Sequence, residues 1–278
     1  MMLRGITTCV DYSDLLGITL ERNLRFMDEC LIVTSPRDEA TIRLVENTPR
    51  AKLWITDAFT RYGASFNKGL ALEEGFNAMG RDGWILIWDA DIVFPDKMGE
   101  RATYFGDKLY TPRRRILEDP MQLYPRLNWE RLPLCPDTGH WGYFQMFYAD
   151  ARPERPWYDP TFAHAGGGDH YFERLWARDK LARPKFEVLH LGPRDANWFG
   201  RTTDDGPEAE ERRRKLRALR EANGWVRGIE RHPTNDRVKV PGYESTHSWW
   251  SSSPDRLVPE SLGPDAVAAS SSEHQGDR

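Results

Sequence analysis

One stretch constrains this chain more than any other: residues 83–95, Gly83-Trp-Ile-Leu-Ile-Trp-Asp-Ala-Asp-Ile-Val-Phe-Pro95. The consecutive apolar residues from Trp84 to Trp88 leave no polar face, and Gly83 and Pro95 bound the segment. Such a run fits a strand covered on both sides within a parallel sheet. It ends abruptly in two carboxylates, Asp89 and Asp91, with only Ala90 between them. Ligands of open α/β sheets bind beyond the carboxyl ends of the strands, where these two side chains would stand. Neighbouring anions repel, and a divalent cation that prefers oxygen ligands, Mg²⁺ or Mn²⁺, would reconcile them. The alternative is a capped loop whose aspartates accept backbone N–H groups.

The residues before this strand alternate strand and helix signals, which predicts βαβ units and a mainly parallel sheet flanked by helices. Leu3–Val10 reads as the first strand. Leu16, Leu20, Leu24 and Met27 then mark one face of a helix capped by Ser13 or Asp14. Cys30–Thr34 is a second buried strand, Pro36–Glu46 a helix with proline near its start, and Ala51–Ile55 a third strand. Leu72, Phe76 and Met79 line the buried side of a helix over 65–80, closed by Gly80 and Gly83.

After residue 100 the pattern loosens. Arg101–Tyr110 reads as an antiparallel strand, 111–138 as irregular and rich in Pro and Arg, and Trp141–Ala149 as an aromatic strand. Gly166-Gly-Gly-Asp-His170 leads into a helix ending near Arg178, and Phe186–Leu191 is a short strand. Residues 207–222 read as a charged helix. From Ser251 the Ser, Pro, Asp and Gly content predicts a disordered tail. One domain over 1–250 is expected, a nucleotide-binding half (1–100) followed by an acceptor-side half (101–250).

Composition narrows the class of function. Charged residues at 29% and aromatics at 12% describe a soluble globular chain. A net charge of −4 gives no global attraction to nucleic acid or anionic membrane. Cys9, Cys30 and Cys135 are odd in number and widely spaced, which indicates neither a disulfide framework nor a zinc knuckle and fits a reduced, cytoplasmic setting. No signal peptide is read at the start, and no run reaches the ~18 apolar residues of a membrane helix, so no membrane insertion is expected.

Four further signals stand around the D-x-D in a specific order. Phe66-Asn-Lys-Gly69 comes before it, and Gly139-His-Trp-Gly-Tyr-Phe-Gln145 after it. Then follow Gly166-Gly-Gly-Asp169 with Phe172-Glu-Arg-Leu175, and Val188-Leu-His-Leu-Gly192. Over about residues 2–192 this order resembles the GT-A glycosyltransferases, particularly the β-1,4-galactosyltransferase-like and family 2 groups. The chain departs from them where they usually carry G-G-E-D-D: here only Asp169 remains, followed by His170.

The resemblance implies a GT-A α/β fold and transfer of a hexose from a UDP-sugar, with Mn²⁺ or Mg²⁺, to an acceptor hydroxyl, with inversion expected. It implies that Asp91 and His190 hold the cation, while Asp89 binds either the cation or the ribose. It places Thr8, Asp11, Tyr12, Thr34, Ser35, Asn67 and Lys68 around uracil and ribose. The chemistry asks for such groups. A departing diphosphate needs its charge neutralised, and an attacking hydroxyl needs a carboxylate base opposite the leaving group. Asp169 is the candidate base, although its position equally suits an N-cap. Trp141 and Gln145 suit a sugar, through stacking and amide hydrogen bonds. Gly167, Gly168 and His170 complete the substrate-side set, the glycines letting backbone approach a sugar closely. Each has a bland alternative: an aromatic core strand, a solvated lysine, a structural histidine.

Two basic clusters remain, Arg113-Arg-Arg115 and the segment Glu211–Arg220. A charge run on a helix is usually a solvated face; the functional alternative is a surface that tracks nucleic-acid phosphates. By analogy with phage-type enzymes that glycosylate hydroxymethylated pyrimidines, hydroxymethylated DNA is one expected acceptor, with glycan, lipid-linked and protein acceptors as the others. A sugar nucleotidyltransferase would need a Gly-rich G-x-G-x-R after the first strand, which Thr7-Thr-Cys-Val-Asp-Tyr12 lacks. A non-catalytic sugar-binding module would have no need of the intact D-x-D.

Overall fold

In the computed structural model the described residues are 2–99, 104, 106–123, 127–136, 142–152, 156–163, 167–192 and 238–242. All lie in a compact unit spanning Met1–Glu244. In chain order the elements are β1 (Leu3–Thr8), α1 (Ser13–Leu24), β2 (Glu29–Thr34), α2 (Glu39–Glu46), β3 (Ala51–Ile55), α3 (Lys68–Met79) and β4 (Trp84–Trp88). They continue with β5 (Ile92–Val93), β6 (Leu109–Tyr110), β7 (Arg113–Leu117), β8 (Phe144–Tyr148), α4 (Gly168–Arg174), β9 (Leu181–Ala182) and β10 (Glu187–Leu191).

A seven-stranded sheet runs in the order β3-β2-β1-β4-β8-β6-β9. Its first four strands are parallel, β8 lies antiparallel to both β4 and β6, and β9 rejoins β6 in parallel. The predicted mixed α/β architecture, a mainly parallel sheet with an antiparallel side, is therefore what the chain adopts. The apolar run of β4 is central for a physical reason. Trp84, Leu86 and Trp88 face one core with Leu16, Leu20 and Leu24 of α1, while Ile85 and Ile87 face another with Leu70, Leu72 and Phe76 of α3. Burial on both faces removes any place for a polar residue between Trp84 and Trp88. At Gly75 a Cβ would stand 2.7 Å from Ile6 Cδ1 and 2.8 Å from Val33 Cγ2, so the lack of one sets how closely α3 approaches the sheet.

A second, three-stranded sheet has the order β5-β10-β7, with β10 antiparallel to β5 and parallel to β7. The chain passes from the large sheet to the small one through Asp89-Ala-Asp91. Ile92 N donates to Asp89 O at 3.0 Å, and Leu191 N donates to Asp91 O at 2.9 Å. The D-x-D is thus the joint between the sheets.

Several sequence-based boundaries shift. Tyr12, not Ser13 or Asp14, occupies the cap position of α1 and makes no side-chain cap bond there. Helix α2 starts at Glu39 rather than at Pro36, because the Asp38 side chain accepts from Thr41 N. Helix α3 begins only at Lys68, because Asn67 caps it. The strand expected over 101–110 is, among the described residues, Leu109–Tyr110, and that expected over 141–149 is Phe144–Tyr148. The segment 111–138 is less irregular than its composition suggests, since it holds β7. The helix expected to end near Arg178 closes at Arg174. The strand expected from Phe186 starts at Glu187. The helix over 207–222 and the tail from 251 lie outside the described residues.

Candidate metal and nucleotide site

Parallel strands put their carboxyl ends on one edge, so Thr8, Thr34 and Asp89 follow β1, β2 and β4 to a common side. Helix α3 returns antiparallel into β4, which brings its N-terminus, with Asn67 and Lys68, to the same edge. This crevice is where open α/β sheets bind ligands.

Buried polar groups of α1 fix the D-x-D backbone. Thr19 Oγ1 donates to Ala90 O at 2.7 Å, and Asn23 Nδ2 donates to Ile92 O at 2.7 Å while its Oδ1 accepts from Phe94 N at 2.9 Å. Asp89 N donates to Tyr143 O at 3.1 Å. The two carboxylates then diverge. Asp89 Oδ1 lies 2.6 Å from Lys68 Nζ, and Asp91 Oδ2 lies 3.4 Å from His190 Nε2. The far nitrogen of His190, Nδ1, is 3.3 Å from Gly192 O. With the proton placed on Nδ1 to meet that carbonyl, Nε2 turns a lone pair toward Asp91. A carboxylate oxygen and an imidazole lone pair facing each other suit a divalent cation between them. Among the described residues, no three His, Cys, Asp or Glu side chains converge on one point. The sequence reading grouped Asp89, Asp91 and His190; the structure brings Asp91 to His190 and gives Asp89 to Lys68. Two protein ligands still fit Mg²⁺ or Mn²⁺, which often complete their shells with water and substrate phosphate.

Asp169 stands in the first turn of α4, after Gly167 at the cap position with φ 91°. It is therefore not the N-cap that its sequence position suggested. Its Oδ2 accepts from Gly142 N at 3.0 Å and its Oδ1 from His170 N at 2.9 Å. A Cβ at Gly142 would sit 2.6 Å from Asp169 Cβ, so glycine is what lets this carboxylate approach the strand. Burial works to raise the Asp169 carboxyl. The charges of His170 and Lys68 and the two N–H donors outweigh burial and hold the group below its ordinary range. Asp89 goes the other way: burial pushes it up, Lys68 opposes that, and Asp91 and Asp169 add to it. Burial also favours the neutral amine of Lys68, but Asp89, Asp169 and Asp91 together hold its ammonium charged well into alkaline pH.

The other expected residues have varied fates. Asn67 is fully buried, its Oδ1 accepting from Leu70 N at 2.8 Å and its Nδ2 donating to Pro160 O at 2.7 Å. It builds the helix start instead of facing the crevice. Gln145 also points inward. Its Oε1 accepts from the Tyr158 hydroxyl, and its Nε2 stands 3.4 Å from Asp169 O. Its place is behind Asp169, not against a sugar. Thr34 Oγ1 and Asp11 N both donate to Asp38, at 3.4 and 2.8 Å, and Asp11 takes a φ of 64° there. Tyr12 packs beside α1 between two apolar clusters, and Thr8 closes β1 half-buried. Gly168 is buried near the Tyr158 ring, and His170 Nδ1 lies 3.7 Å from Glu173. Trp141 lies outside the described residues.

Sequence reasoning missed Asp38, Asn23 and Tyr158. Asp38 carried a findable signal, being three residues before Thr41 at a helix start. Tyr158 had none, because Trp157–Phe162 follows no periodicity. Its hydroxyl is held neutral by burial, with the Asp169 and Asp89 charges adding to the effect. The segment is pinned by Glu73, whose Oε1 accepts from both Trp157 N and Tyr158 N at 2.8 Å.

No protein-family model and no curated protein sequence matches the chain. Solved structures overlap it at low identity. Mannosyl-3-phosphoglycerate synthase from Rubrobacter xylanophilus is 13% identical, with a TM-score of 0.43, over 82% of this chain and 77% of that one. Glucosyl-3-phosphoglycerate synthase from Mycobacterium tuberculosis, solved with Mn²⁺, UDP-glucose and glycerol 3-phosphate, is 16% identical, with a TM-score of 0.42, over 80% of each chain. A 4-diphosphocytidyl-2C-methyl-D-erythritol synthase is 16% identical, with a TM-score of 0.41, over 77% of this chain and 97% of that one. Overlaps of this size assign neither activity nor ligand, and the fold stands on its own strand order.

Proposed function

We propose that this chain is a GT-A-type glycosyltransferase that moves a hexose from a UDP-sugar to an acceptor hydroxyl, with a divalent cation and with inversion. The observation that carries the reading is the meeting of Asp91 and His190 at 3.4 Å, on the carboxyl edge of a nucleotide-binding type of sheet. Around that pair stand Lys68, Asp89 and Asp169, close enough to perturb one another's ionisation. The order of motifs in the sequence supports the same reading.

In this scheme Asp91 and His190 would hold Mn²⁺ or Mg²⁺, which supplies neutralisation of the charge developing on the departing diphosphate. Lys68 lies beside the same position and adds a positive charge for the phosphates. Thr8, Asp11 and Tyr12 line the edge toward the nucleoside, with Asp38 holding the Asp11 turn. Asp169, ionised at neutral pH, accepts the acceptor's hydroxyl proton while the new C–O bond forms and the sugar–phosphate C–O bond breaks. Tyr158 and Gln145 support the Asp169 backbone from behind.

The Arg113–Arg115 triplet no longer argues for DNA. Arg115 Nε bonds Glu187 at 2.5 Å and its Nη1 bonds the carbonyls of Glu130 and Leu132, while Arg114 lies 4.8 Å over the Tyr143 ring. Only Arg113 of the three is exposed. Hydroxymethylated DNA therefore stands as one acceptor to be tried beside small polyhydroxyl compounds.

Calorimetric titration of UDP with and without Mn²⁺ tests the reading. Wild type is expected to bind UDP more tightly with Mn²⁺, and Asp91→Asn to lose that dependence while keeping its circular dichroism spectrum. Donor hydrolysis that persists in excess chelator, or in Asp91→Asn, would refute it.

A further inference from the structure

Asp89 and Asp91 leave the same fixed turn, yet only Asp91 faces His190. The backbone of Asp89 is held by Tyr143 O and Ile92 N, so its side chain alone is left to choose a direction. Lys68 makes that choice, at 2.6 Å. Lys68 is itself rooted in a rigid place: Asn67 caps α3 immediately before it, and Gly69 immediately after packs where a Cβ would lie 2.2 Å from Asp159 O. Its long stem is the movable part.

We propose that Lys68 is an internal counter-ion that keeps Asp89 out of the cation site until a nucleotide diphosphate arrives. The inference rests on the metal reading above. A diphosphate entering the crevice offers Lys68 a more highly charged partner than one carboxylate. Its departure leaves Asp89 unneutralised beside Asp91, and a cation held by Asp91 and His190 gains a third protein ligand. Cation alone then binds weakly, and cation and nucleotide bind in mutual support, each raising the other's affinity by the same factor. The arrangement also discourages a stray cation from occupying a site with no donor in it.

The test is a titration of Mn²⁺ alone, without nucleotide, followed by the paramagnetic signal of free Mn²⁺. Lys68→Met is expected to bind Mn²⁺ roughly three- to tenfold more tightly than wild type, given the partial solvent screening of the pair. Lys68→Arg keeps the charge and should stay near wild type, which also controls for folding. Lys68→Met combined with Asp89→Asn should lose the gain. Adding UDP should tighten Mn²⁺ by a larger factor in wild type than in Lys68→Met. Equal or weaker Mn²⁺ binding by folded Lys68→Met overturns the proposal, as does a gain that survives Asp89→Asn. If Mn²⁺ binds through Asp91 but ignores Lys68, only this inference falls. Should no variant bind Mn²⁺ even with UDP, the metal reading falls with it.

Discussion

Asp169 shows how one side chain can be tuned by what surrounds it. Two backbone N–H donors and the charges of Lys68 and His170 keep it ionised where an isolated buried carboxyl would be neutral. Its folded pKa lies below the unfolded value of about 3.9. Its contribution to stability is therefore complete above that value and is lost as pH falls through the folded one. If Asp169 is the base of the proposed transfer, the acid limb of kcat/KM should lie below the ordinary carboxylate range. Asp169→Asn, nearly isosteric, is expected to lower kcat by about 10² or more with UDP affinity little changed. Steady-state kinetics beside UDP titration check this. A variant that loses stability but keeps its turnover would return Asp169 to a structural role.

At the scale of elements, the site is held by contacts between pieces distant in sequence. Helix α1 fixes the D-x-D turn through Asn23, which serves both Ile92 O and Phe94 N. Asn23→Ala orphans both buried groups, at about 1–3 kcal/mol each. Chemical denaturation should show that loss as a lower midpoint, with weaker Mn²⁺ binding, because the Asn23 side chain holds the backbone that follows Asp91. Strand β7 depends likewise on Arg115, whose guanidinium ties it to Glu187 and to the carbonyls of Glu130 and Leu132. Arg115→Ala is expected to lower the melting temperature and leave the salt dependence of any DNA binding unchanged. A reduced salt slope would instead revive the nucleic-acid surface.

At the largest scale, an apolar core lies on each face of the seven-stranded sheet among the described residues, and Cys9 and Cys30 belong to the one that packs against α1. Burial pushes both thiols up to about 12. Groups raised this way contribute stability that is complete below the unfolded thiol value of about 8.5 and is lost as pH climbs toward 12. A colorimetric thiol reagent at pH 8 should leave Cys9 and Cys30 unmodified in the native protein and modify both in denaturant. Rapid modification of either without denaturant would show that this core opens.

Local pattern determined much of this protein. The unbroken apolar run of β4 demanded helices on both faces, and alternation of strand and helix signals set the parallel half, because both are read from neighbours along the chain. The pairing of Asp91 with His190 was legible only as an expectation carried by resemblance, since 98 residues lie between the two. Tertiary structure decided what each polar side chain faces. It turned Asn67 and Gln145 inward, gave Asp89 to Lys68, and made Arg114 and Arg115 part of a sheet. Those outcomes depend on which elements arrive beside one another: β7 against β10, α4 behind β8, and the 156–163 segment against α3. A hydrogen bond or ion pair is set by distances of a few ångströms in space, and residue order does not encode those distances for groups so far apart in the chain.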